Sequence, residues 1–85
     1  MDIFLADLKT RLEAMKSPGL PRDILGGHGH ALKSSAGIFG LTRLARAAED
    51  IEQSVRKGES SALEQQIGAF VQEASYAPDR LKQRA

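Results

Sequence analysis

Leu41, Leu44, Ala48, Ile51 and Val55 step by three, four, three and four residues. That spacing lines all five side chains along one face of an α-helix. A strand could not bury them together, because its successive side chains point to opposite faces. The same period recurs in Leu5, Leu8, Leu12 and Met15, and again in Leu63, Ile67, Phe70 and Ala74. No stretch alternates at period two with β-branched residues, so no strand is expected. The chain reads as all-α.

The punctuation divides it into four helices at about 2–16, 21–39, 41–57 and 61–76. Asp2 suits the positive end of the first helix dipole, and Ser17-Pro18-Gly19 stops that helix. Pro21 is a good first-turn residue, because its missing N–H would have no partner there. Gly58 stands where a C-terminal cap belongs. Ser61 and Glu64 have the spacing of a capping box, and Pro78 ends the fourth helix. The tail, 78–85, is expected to fray or to add a short turn. Four amphipathic helices on short connections pack most simply as an antiparallel four-helix bundle, and 85 residues make one domain, 1–85.

The second segment needs help from the rest of the fold. Gly26, Gly27, Gly29 and Gly37 all lie in it, and each interior glycine costs about 0.5–1 kcal/mol relative to alanine. Residues 26–29 as a loop, with the helix beginning near His28, is the alternative.

Composition excludes several classes. There is no cysteine, hence no disulfide scaffold and no thiolate metal site. No apolar run approaches 18 residues and no secretory leader is evident, so a cytoplasmic protein without a membrane span is expected. A net charge of +1 gives no global case for nucleic acid, and the basic tail residues Arg80, Lys82 and Arg84 read as solvated.

The two histidines, His28 and His30, both fall in the glycine-rich segment. Each residue turns a helix by about 100°, so two residues apart point about 200° apart. His28 joins the stripe of Leu25, Leu32 and Ser35. His30 takes the solvent side with Gly26, Lys33, Ser34 and Gly37. They cannot converge on a metal ion, and no third ligand is evident. Small neighbours would leave His30 prominent on a low surface, open to a partner. Lys33 would set an ammonium beside an anion carried by the imidazole, whose neutral nitrogen is a competent nucleophile.

The run His30-Ala31-Leu32-Lys33-Ser34-Ser35-Ala36-Gly37-Ile38-Phe39-Gly40 resembles the signature of the histidine phosphotransfer (HPt) family. Its Ala-Gly-x-Phe-Gly ending is most similar to the phosphotransfer domain of chemotaxis-type histidine kinases, and the likeness continues to Gly58 and Glu59. The resemblance implies bacterial two-component signalling, with a phosphoryl group carried on Nε2 of His30 and Lys33 beside it. It implies that Gly37 and Gly40 allow close helix packing and partner approach. Glu52 falls where those domains keep a glutamate that accepts a hydrogen bond from the histidine Nδ1, and Glu49 at another polar position near the site. An i,i+4 pair with Arg56 is the plainer reading of Glu52. Ser34 stands where glycine is usual, and its hydroxyl could donate to the phosphoryl group. Gly29 stands where alanine is frequent. Ile38 could be exposed and touch a partner.

The implied partners are a response-regulator receiver domain and a histidine kinase's catalytic or receiver domain. The chain has no P-loop and no acidic cluster to hold Mg²⁺, so ATP and Mg²⁺ would be held by partners. It is expected to be a phosphocarrier that does not phosphorylate itself. The rival reading is a non-catalytic helical adaptor that docks signalling partners without being phosphorylated.

Overall fold

The computed structural model describes residues 2–17, 19–58 and 61–83. Five helices run in order: α1 (Asp2–Met15), α2 (Arg22–Ile38), α3 (Thr42–Lys57), α4 (Leu63–Ser75) and α5 (Ala77–Gln83). The first four are the four expected from periodicity. They form a bundle 39 × 19 × 18 Å across, in which α2 and α3 make the most extensive pairing and α3 with α4 the next. Phe39, Gly40 and Leu41 are the whole link between α2 and α3, so the two helices must run antiparallel.

The core is mostly aliphatic, with Phe70, Leu32, Leu44 and Ile51 its largest fully buried side chains. On α1 the buried line is Phe4, Leu8 and Met15, with Leu5 and Leu12 half-buried beside it. Phe4 packs on Phe39 with ring centroids 4.7 Å apart. That contact ties the start of α1 to the end of α2.

Two expectations are corrected and two open alternatives are decided. The tail is not frayed over the described residues: α5 buries Ala77 and Leu81. Pro78 lies in the first turn of this helix, where a missing N–H costs nothing, so it starts a helix as well as following one. Arg80 is half-buried, pairs with Glu73 at 3.0 Å and lies over the Tyr76 ring, whereas Arg84 lies outside the described residues. The capping box does not form, because α4 begins at Leu63 with Ala62 as its cap residue and no side-chain cap bond. Finally, α2 is one unbroken helix through 26–29.

The glycines of α2 differ in what surrounds them. A Cβ on Gly29 would meet the Ala48 carbonyl oxygen at 3.1 Å and the Glu52 backbone nitrogen at 3.6 Å. At Gly29 the backbone of α3 therefore lies directly against α2. Gly27 faces open space. Gly27→Ala should stabilise the fold by about 0.5–1 kcal/mol through helix propensity. Gly29→Ala gains the same term but presses on a backbone oxygen that cannot swing aside, at a cost of about 1–3 kcal/mol. A net loss near 1 kcal/mol is expected. Urea midpoints of the two variants, shifted in opposite directions, would check this; a stabilised Gly29→Ala would refute the close approach.

Candidate functional site

The α2–α3 pair brings His30 and Glu52 together. His30 Nδ1 lies 2.7 Å from Glu52 Oε2. Lys33, one turn along α2, donates from Nζ to the other carboxylate oxygen at 2.8 Å. Arg56, one turn along α3, reaches Oε2 at 3.4 Å. The two readings of Glu52 are thus compatible: one carboxylate meets the histidine and its i,i+4 arginine together.

Burial is unequal. The Glu52 side chain is 8% exposed while His30 is 64% exposed. A carboxylate fixed below the surface therefore grips the inner nitrogen of a ring that stands in solvent. The Lys33 hydrogen bond holds the Glu52 carboxyl below its ordinary pKa, with the His30 contact adding to it and burial opposing. With Glu52 ionised it can only accept, so Nδ1 of His30 carries the proton and donates. The neutral ring then keeps its lone pair on the outward Nε2. This is the protonation pattern of a nucleophilic imidazole.

The neighbouring residues divide into two groups. Ser34, Gly37 and Ile38 are exposed along α2, and Ile38 is 81% exposed. Glu49 is exposed one turn before Glu52 on α3. Gly26 is not part of an open surface. A Cβ there would come within 3.1 Å of Val55, so it belongs to the α2–α3 packing. A Cβ on Gly37 would meet nothing within 4 Å. Gly37 leaves the surface low and plays no part in helix packing. Gly40 has a φ of +73° and serves the turn, a conformation that costs other residues strain. Close packing is supplied instead by Gly29, which the sequence offers only as a departure from the usual alanine.

A second polar cluster lies on α1 and the opposite face of α2. Arg11 Nη1 is 2.9 Å from His28 Nδ1. Arg11 Nε donates to Asp7 Oδ2 at 2.9 Å. His28 is half-buried, as its place on the apolar stripe implies. The Asp7–Arg11 spacing is visible in the sequence, but its partner across the bundle is not. Burial, and then the Arg11 charge, push the His28 pKa below its ordinary 6.5, with Asp7 opposing. As pH falls past 6.5 the unfolded chain takes up this proton before the folded chain does. Stability should therefore decline below pH 6.5 and level off once the folded ring has also protonated. Thermal midpoints of the wild type and His28→Gln between pH 7.5 and 5 should diverge in that window; parallel curves would remove His28 as the cause.

Among the described residues no helix is long and apolar enough to cross a membrane, and no three potential ligands gather for a metal ion. No curated protein and no solved structure matches the chain significantly. The family model for the Hpt domain matches residues 1–83, nearly the whole bundle that carries the His30–Glu52 pair. The chain belongs to the Hpt domain family, the family of histidine phosphotransfer in phosphorelays.

Proposed function

We propose that this chain accepts a phosphoryl group on Nε2 of His30 and passes it to the aspartate of a response-regulator receiver domain. The observation that carries the reading is the 2.7 Å contact from His30 Nδ1 to a buried, ionised Glu52, made by a ring that is otherwise in solvent. The contact selects the tautomer with a free outward nitrogen and fixes the ring plane toward an approaching phosphorus.

The donor is a histidine kinase's catalytic domain with ATP, or the phospho-aspartate of another receiver. In either case Nε2 attacks in line, the N–P bond forms, and the leaving oxygen departs with the donor. Charge on the phosphoryl oxygens is offset by Mg²⁺ held by the partner and by nearby cations. Lys33 is the nearest of these on α2, and its bond to Glu52 keeps it beside the ring. Ser34 offers a hydroxyl one turn along. Gly37 and Ile38 extend the low exposed strip on which a receiver could dock. The chemotaxis-type ending of the motif and a cytoplasmic location belong to the same reading. Labelling by [γ-³²P]ATP through a kinase catalytic domain, with and without His30, is the direct test; a label that survives loss of His30 would reject it.

A further inference from the structure

His28 and His30 stand two residues apart on α2, and their Nδ1 atoms are held by groups of opposite character. Arg11 has only N–H donors, so at 2.9 Å from His28 Nδ1 it must donate. The Nδ1 lone pair is then occupied, and a neutral His28 ring carries its proton on Nε2. Asp7 accepts from Arg11 Nε at 2.9 Å and aims the guanidinium from α1. On His30 the polarity is reversed, because Glu52 accepts. The lone pair of its Nε2 stays free.

We infer that Arg11 is a specificity-determining residue for phosphoryl transfer: by donating to Nδ1 of His28 it closes both nitrogens of that ring and leaves His30 as the chain's nucleophilic imidazole. The inference rests on the carrier reading above for its meaning, but the tautomers it names exist without any phosphoryl chemistry. Attack on phosphorus requires a nitrogen lone pair in the ring plane. His28 has none to give: Nδ1 is bound to the guanidinium and Nε2 bears hydrogen. Without Arg11 the ring would exchange between tautomers as free imidazole does. It is only half-buried, so a small donor would reach it.

The test has two readouts on the full chain. The imidazole ¹⁵N spectrum at pH 7.5 should show His28 with its proton on Nε2 and His30 with its proton on Nδ1. Arg11→Met, which keeps the aliphatic stem, should turn His28 alone into a tautomer mixture; Arg11→Lys, which keeps a donor, should restore the single form. Phosphoramidate then serves as a donor that needs no partner. Nε2 attacks phosphorus, the N–P bond to histidine forms, the donor's P–N bond breaks and ammonia leaves. His28 should stay unlabelled in His30→Gln and gain label at least tenfold faster in His30→Gln/Arg11→Met, with the site mapped by fragment masses. A wild-type His28 protonated on Nδ1, or exchanging between forms, overturns the inference. So do equal labelling rates in the two backgrounds. Failure of the carrier reading looks different: His30 itself would take no label from kinase or phosphoramidate.

Discussion

His30→Gln is expected to abolish phosphoryl acceptance and leave the fold intact. Glutamine has similar reach, but its amide nitrogen has no available lone pair, so no slow residual transfer through that side chain is expected. The replaced ring is 64% exposed, and exposed substitutions of this kind change stability by about 0.5 kcal/mol or less. The Glu52 carboxylate keeps Lys33 at 2.8 Å and Arg56 at 3.4 Å, so no buried charge is stranded. The helical circular dichroism and the melting midpoint should match the wild type. The wild-type label should be lost in acid and survive base, as a phosphoramidate bond does. A label retained in the variant, or a variant that unfolds, would each contradict this account of the site.

Glu52→Ala should slow transfer by about 10–100-fold, the loss typical when the outer partner that orients a metal-ligating histidine is removed. Two effects combine. The ring loses the acceptor that keeps its proton on Nδ1, so less of it presents a free Nε2. It also loses its fixed plane, and Lys33 and Arg56 lose the carboxylate that gathers them. Glu52→Gln should fall between, because an amide oxygen still accepts from Nδ1 but without charge. Stability should suffer less than for a typical buried ion pair, because His30 and Arg56 stand mostly in water and rehydrate. The lowered Glu52 pKa, set first by the Lys33 hydrogen bond, gives a sign for acid. Its stabilising contribution is complete above the ordinary carboxylate value and is lost as pH falls through the lowered folded value. Rapid-quench transfer rates would check the series; an alanine variant at wild-type rate would remove Glu52 from the chemistry.

What the sequence reveals depends on how local each feature is. The apolar line of α3 has no glycine inside it and a left-handed Gly58 at its end, φ +74°, so its limits were legible to within a residue. The helical state of α2 was legible only through its apolar stripe, because four glycines weaken it. Packing against α3 overrides that propensity. Which glycine does the packing was not legible, since it depends on the register between two helices: Gly29 meets Ala48 while Gly37 meets nothing. In the sequence the tail stays open between fraying and a short turn, because seven residues are too few for a period to declare itself and Pro78 resembles a stop. The reach of Glu52 to His30 came from family resemblance. The bond from Arg11 to His28 spans 17 residues and leaves no pattern that spacing alone could find.

The Nδ1–Glu52 contact has a consequence for the direction of traffic. It is made on the side of the ring away from Nε2, so the same hydrogen bond is available with the phosphoryl group on or off. Loading and unloading at Nε2 then leave the Glu52 contact in place. On the proposed reading, a contact that serves the bare and the loaded ring alike suits traffic in both directions, with net flux following the phosphorylation states of the proteins on either side.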